Sequence, residues 1–209
     1  MDIILIPEDP TRDKYVLKPV FRKMYDWLGV NGYTVEMAPW NPGSVEAATD
    51  WDQLEIFIDK VKYTTDFFLL CIDRDADEAR RTTDDDRKPD QIDRLRNRAH
   101  EKFADEGWLD TTFFGVAARE EIEVWALGGI DYLPDDWTWR DVRRDPHPKE
   151  NYFEPFAEEL GVEEREYGGI QALGRKSASN YRRLRRKCRE LERLEDRIEN
   201  WLTENWNSF

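Results

Sequence analysis

Short apolar runs alternate with stretches of helical periodicity over the first 128 residues of the chain. Runs in which β-branched, aliphatic and aromatic residues dominate predict strands. Four such runs occur, at residues 2–7, 33–37, 67–72 and 111–116. The third, FFLLCI, is apolar throughout, which is typical of a strand that is buried on both faces.

Apolar residues at helical spacing fill most of the intervals between these runs. The pattern predicts helices over 17–28, 45–63, 91–106 and 117–127, and a long polar loop over 74–90. Gly29 ends the first helix and Gly128 with Gly129 ends the last. Alternation of strand and helix predicts an α/β fold with a mainly parallel sheet flanked by helices.

The second part of the chain has a different pattern. Residues 131–170 are rich in Pro, Trp and Asp, and they predict an irregular segment that completes the site of an α/β domain over 1–130. Residues 171–209 predict a C-terminal appendage, in which one long basic and amphipathic helix runs from Ser177 to Trp206. Its apolar stripe offers a surface for a partner helix or for a second copy of the chain. The stripe consists of Tyr181, Leu184, Cys188, Leu191, Leu194, Ile198 and Leu202.

Charge limits the classes of function. The 209 residues are 37% charged and carry a formal net charge of -14, which predicts a surface that repels nucleic acid at long range. A nucleic-acid site would therefore be a local basic patch or one bridged by metal, unless the acidic surface imitates DNA. Two cysteines without a CxxC spacing, and no apolar stretch long enough to span a bilayer, predict a cytoplasmic protein without membrane attachment.

Acidic residues follow the predicted strands. Glu8 comes after the first strand, Asp73 and Asp75 come at the end of the third, and Glu123 lies in the helix after the fourth. In open α/β sheets, ligands bind beyond the carboxyl ends of the strands, so these acids are expected to converge. Crowded carboxylates stay ionised readily only around a cation, and oxygen ligands of this kind suit Mg²⁺ or Mn²⁺. The alternative is a solvated loop with helix-capping acids.

These residues resemble the catalytic motifs of the Toprim domain, which topoisomerases, bacterial primases and OLD-type (overcoming lysogenization defect) nucleases share. An acid after the first strand and a D-x-D motif after a later strand carry the likeness. Three further segments are similar to small Toprim-like proteins related to the OLD nucleases. They are EDPTRD at 8–13, EEIEVWAL at 120–127 and HPKENY at 147–152. The likeness covers about the first three quarters of the chain.

The resemblance implies a role for each matching residue. Glu8 would be a general base or metal ligand, Asp73 and Asp75 metal ligands, and Glu123 a ligand or a water-orienting acid. Lys149 would neutralise the phosphate in the transition state.

The chain departs from the family pattern near its first motif. Asp9 replaces the usual Gly, and Arg12 stands where the family often has a second acid. Asp13 is the alternative metal ligand there, although a shift of one residue on a helix turns a side chain by about 100°.

The segment 174–189 reverses the acidic character of the chain, because it contains eight basic residues and no acidic one. It predicts either a nucleic-acid backbone site, with Tyr181 available for stacking on a base, or a helix whose arginines pair with nearby acids. The candidate nucleic-acid-binding residues are Arg175, Lys176, Arg182, Arg183 and Arg186.

Together these features predict a metal-dependent nuclease that hydrolyses phosphodiester bonds in DNA or RNA. By resemblance it would work in anti-phage defence with a separate ABC-type, OLD-type ATPase subunit, since the chain has no Walker A motif. The alternative is a non-catalytic acidic module that binds a protein partner or mimics DNA.

Overall fold

A computed structural model describes residues 1–73, 87–107, 111–163, 167 and 169–205. It contains a four-stranded, all-parallel sheet in the order β2-β1-β3-β4. This confirms the predicted α/β class and the four strand positions. The strands are β1 (Asp2–Pro7), β2 (Thr34–Met37), β3 (Phe67–Asp73) and β4 (Thr112–Ala118).

The helices of the described part cover both faces of the sheet. The first half of the chain contributes α1 (Lys14–Trp27), α2 (Val45–Ala48), α3 (Trp51–Val61) and α4 (Arg87–Asp105), with a 3₁₀ turn at Lys62–Thr64. The second half contributes α5 (Glu123–Gly128), α6 (Trp139–Val142), a π-helical turn (Lys149–Phe153), α7 (Glu154–Glu159), α8 (Ile170–Ser179), α9 (Tyr181–Lys187) and α10 (Arg189–Asn205).

The alternation of side chains along the strands builds two hydrophobic cores. Phe67, Leu69 and Cys71 of β3 pack on the face that carries α1, α5 and the three C-terminal helices. Phe68 and Leu70 point the other way, into the core formed with α3 and α4. A strand buried on both sides must be apolar at every position, which explains why residues 67–72 contain no polar side chain.

The C-terminal helices belong to the first of these cores. The predicted stripe from Tyr181 to Leu202 is buried, so it covers the chain's own core and does not offer a surface for a partner helix or a second copy. The single long helix predicted here is wrong, because the chain breaks at Asn180 and at Cys188. Neither break carries a Pro or Gly signal. All three helices, α8, α9 and α10, contribute buried residues to this core.

Two other helix predictions differ from the structure. Residues 45–63 form two helices, because the Asp50 carboxylate accepts hydrogen bonds from the backbone N–H groups of Asp52 and Gln53 and caps a new helix. The helix predicted from Ala117 begins only at Glu123, since Ala117 and Ala118 continue β4 in register with Ile72 and Asp73. Strand pairing overrides the helix propensity of alanine here.

The predicted loop over 74–90 lies largely outside the described residues, and α4 begins at Arg87. The predicted irregular segment contains α6, the π-helical turn and α7. Across the part of the chain that the structure describes, no helix is both long and apolar enough to cross a membrane.

Candidate active site

Four of the predicted site residues lie at the carboxyl ends of the parallel strands. Glu8 follows β1, Asp73 is the last residue of β3, and Glu123 begins α5 after β4. Asp13 directly precedes α1, the helix that follows β1. Because β3 pairs with both β1 and β4, these four positions share one edge of the sheet. We call Glu8, Asp13, Asp73 and Glu123 the carboxylate cluster.

The carboxylate cluster is electrostatically crowded. Burial raises the pKa of Asp73 well above its ordinary value, and repulsion from Asp13, Glu123 and Glu8 raises it further. Burial likewise raises the pKa of Asp13 to about 8, with added repulsion from Glu123, Asp9 and Glu8, although a backbone hydrogen bond opposes the rise. The side chains predicted to converge therefore do interact with one another. Asp75 lies outside the described residues.

Backbone hydrogen bonds orient two of these carboxylates. Asp73 Oδ1 accepts a hydrogen bond from the N–H of Ile122 at 2.8 Å, which ties the end of β3 to the start of α5. Asp13 Oδ2 accepts one from the N–H of Asp9 at 3.1 Å, which closes the loop after β1. Asp13 is only 7% exposed and Glu123 only 8%. These two carboxylates are consequently shielded from solvent, so each of their charges weighs more than it would in water.

An arginine of the loop after β1 reaches the carboxylate cluster. Arg12 Nη2 lies 3.4 Å from Glu123 Oε1, and the Arg12 side chain is 31% exposed. The arginine that departs from the family pattern therefore partly neutralises the carboxylate cluster. Its neighbour Asp13, and not Arg12, supplies the acid at this point.

Lys149 approaches the site through its backbone. The Lys149 N–H donates to Glu121 Oε2 at 3.1 Å, and the lysine lies at the start of the π-helical turn. Burial raises the pKa of Glu121 to about 7, helped by repulsion from Glu123 and Glu150, while Lys149 lowers it. The sequence prediction assigned a role to Glu123 of this segment and none to Glu121. The signal that could have found Glu121 is its position two residues before Glu123, in the segment that precedes α5.

The donor chemistry of the cluster fits a hard divalent cation. Carboxylate oxygens are the ligands that Mg²⁺ and Mn²⁺ prefer, and a cation would relieve the repulsion that raises the pKa values of Asp13 and Asp73. Within the described ranges, however, no three His, Cys, Asp or Glu side chains form a group that could hold a metal ion. A coordination sphere would therefore need side-chain adjustment or a ligand from outside those ranges.

The predicted nucleic-acid-binding residues lie on α8 and α9. Arg175, Lys176, Arg182 and Arg186 are exposed, whereas Arg183 is half-buried and donates to the carbonyl of Asp131 at 3.0 Å. Tyr181 is not available for stacking, because it is 4% exposed and its hydroxyl donates to Glu195 Oε2 at 2.6 Å.

Comparison with protein-family models, curated proteins and solved structures finds no match to this chain. The likeness to the Toprim domain therefore rests on the short motifs around the carboxylate cluster, together with the all-parallel sheet that carries them.

Proposed function

We propose that the protein is a metal-dependent hydrolase of phosphodiester bonds in DNA or RNA. The observation that carries this proposal is the carboxylate cluster, in which four acids from separate segments repel one another at the carboxyl edge of a parallel sheet. A fold does not retain such repulsion for stability, because each buried unpaired charge costs free energy. Perturbed acids in a pocket are a common property of catalytic sites.

The residues of the site have separate roles in this proposal. Asp73, Asp75, Asp13 and Glu123 would hold Mg²⁺ or Mn²⁺. The bound cation would supply Lewis-acid activation of water and of the phosphoryl oxygens. Glu8 would accept a proton from the attacking water, and the Lys149 ammonium would offset the charge that develops on the phosphate.

Burial of the acids favours an enzyme over a non-catalytic acidic module. A protein that mimics DNA has to present its carboxylates on an exposed face, but Asp13 and Glu123 are almost inaccessible to solvent. The wider setting remains a proposal from resemblance. It consists of a role as effector in anti-phage defence, with an ABC-type ATPase as a separate subunit.

A nicking assay on supercoiled plasmid and on transfer RNA tests the proposed activity. Each reaction contains Mg²⁺ or Mn²⁺, and parallel reactions also contain an OLD-type ATPase. We expect cleavage by the wild type. Loss of at least 100-fold in rate is expected in Asp73→Asn and in Glu8→Gln, because each removes a charge but nearly keeps the shape.

Asp52→Asn is the matched control, since Asp52 is an exposed carboxylate on α3, away from the pocket. Cleavage at equal rates by the wild type, Asp73→Asn and Glu8→Gln would refute the assignment of the site.

A further inference from the structure

A second charged cavity lies beside the carboxylate cluster, at the end of β4. It encloses about 460 Å³ and is lined, among the described residues, by seven cationic side chains and one carboxylate, a formal charge of +6. In a chain whose net charge is -14, this is a strong local reversal. We call it the arginine cleft. Its cations are Arg119, Arg140, Arg144, Lys187, Arg189 and Arg193, arranged around the ion pair of Arg143 with Glu190.

The one carboxylate of the cleft is already fully engaged. Glu190 receives two hydrogen bonds from the Arg143 guanidinium, at 2.6 and 2.7 Å, and one from Trp125 Nε1 at 2.9 Å. Burial would raise the pKa of Glu190, but the charge of Arg143 and these hydrogen bonds outweigh burial and lower it. Glu190 therefore stays ionised and neutralises Arg143. Arg189 pairs with Glu192 at 3.0 Å, so neither acid balances Arg140, Arg144 or Arg193.

Several of those cations have no acidic partner in the described part of the chain. Arg140, Arg144 and Arg193 are exposed and form no ion pair with any described residue. Burial, followed by repulsion from Arg183, lowers the pKa of Lys187, whose Nζ lies 4.6 Å from the ring centroid of Trp139. Like charges gathered in this way attract a polyanion over a distance set by the ionic strength.

One short segment connects the cleft to the carboxylate cluster. Arg119 lines the cleft. Three residues later, the N–H of Ile122 donates a hydrogen bond to Asp73 Oδ1. Between them Glu120 has a positive φ of 65°, an unusual conformation for a residue with a side chain, and its charge acts on Arg143. The turn at Glu120 thus lies between Arg119, which lines the cleft, and Glu123 of the carboxylate cluster.

The cleft also continues beyond its own boundary. A second cavity of about 230 Å³ runs along β4 and shares Ala117, Glu190 and Arg193 with the arginine cleft. Its wall includes Arg197, whose guanidinium donates to the Gly115 carbonyl at 2.7 Å. This second cavity is formally neutral, because Asp93 and Glu190 offset Arg193 and Arg197, so the cationic surface is the arginine cleft itself.

We propose that the arginine cleft binds the phosphodiester backbone of a nucleic-acid strand and directs that strand to the carboxylate cluster. Phosphates repeated along a strand match cations that come from four separate segments, at residue 119, in α6, at the end of α9 and in the first turns of α10. The N-terminus of α10 adds its positive dipole end to this surface. This inference rests on the proposed function only in taking the bound strand as the substrate.

Fluorescence anisotropy of a labelled 20-nucleotide single strand, measured in EDTA at 50 mM and 200 mM salt, tests the cleft without any hydrolysis. We expect saturable binding that weakens with salt, and a loss of at least tenfold in affinity in Arg144→Glu/Arg193→Glu, with a shallower salt dependence. The matched control is Lys60→Glu/Arg98→Glu, which reverses two exposed charges on α3 and α4. Its affinity should stay within threefold of the wild type.

Three results would overturn the inference. They are no binding by the wild type, equal losses in both double variants, and a loss in Arg175→Glu/Arg182→Glu that the cleft variant does not share. A fourth contradicting result is displacement of the strand by ATP at a concentration equal to that of the strand, because a mononucleotide reaches fewer of these cations than a strand does. Failure of the hydrolase proposal gives a different result. The wild type would then bind the strand in EDTA but would not cleave it when metal and ATPase are added.

Discussion

At the scale of single residues, the sequence predicted which acidic residues lie at the ends of the strands. The positions of Glu8, Asp73 and Glu123 at one edge of the sheet were predictable, because the apolar strands are unambiguous and residues that follow parallel strands lie at the carboxyl edge. The contact between Arg12 and Glu123 was not predictable, since it depends on the path of a loop and on the rotamers of two long side chains.

The raised pKa of Asp13 predicts the direction in which the free energy of unfolding changes with pH. Its pKa is raised from 3.8 to about 8 by burial and by repulsion, so the folded state binds one more proton than the unfolded state between about pH 4 and 8. The free energy of unfolding therefore falls as the pH rises through this window. Asp13→Asn removes the penalty and should raise the free energy of unfolding at pH 8.5 by about 1 to 3 kcal/mol, with little change at pH 4.

Urea unfolding in EDTA, followed by Trp fluorescence at both pH values, measures this effect. Asp52→Asn is the control, because its carboxylate is exposed. If Asp13→Asn is no more stable than the wild type at pH 8.5, the electrostatic crowding described for this pocket is absent.

At the scale of helices and strands, periodicity predicted which residues are buried better than it predicted where helices break. Every member of the C-terminal stripe is buried, yet the helix that carries the stripe is interrupted twice. Contacts that are distant in sequence hold α8 just before the first break. The Ser177 hydroxyl donates to the Trp125 carbonyl at 2.6 Å and accepts from the Gly129 N–H at 2.8 Å.

The close packing of α8 on α1 gives a second stability prediction. A Cβ atom at Gly174 would lie 2.4 Å from the backbone carbonyl oxygen of Tyr15, which cannot move aside as a flexible side chain would. In an isolated helix, Gly→Ala stabilises by about 1 kcal/mol. Here Gly174→Ala should instead lower the free energy of unfolding by about 2 kcal/mol or more, since α1 and α8 must separate.

Thermal and urea unfolding of Gly174→Ala beside Arg175→Ala measures this effect. The exposed neighbour should change the free energy of unfolding by less than about 0.5 kcal/mol. A stabilised Gly174→Ala would mean that the two helices do not approach as described.

At the scale of the whole molecule, one edge of the sheet carries an acidic site and a basic site. The carboxylate cluster lies at the ends of β1 and β3 and the arginine cleft at the end of β4, while the net charge of the chain remains -14. The sequence could suggest the first pocket, because the acids follow strands. It could suggest only part of the second, because the basic segment 174–189 contains Lys187 and Arg189. The other cations come from positions 119, 140–144 and 193, and only the fold brings them together.

The central claim is that the carboxylate cluster holds a divalent cation, and isothermal titration calorimetry on metal-stripped protein tests it most directly. We expect saturable binding of Mg²⁺ or Mn²⁺ by the wild type and by Asp52→Asn, stronger at pH 8.5 than at pH 6 because Asp13 and Asp73 must lose protons. Binding should be lost in Asp73→Asn. Heat signals for Asp73→Asn that match those of the wild type, or no saturable binding by the wild type at millimolar metal, would contradict the claim.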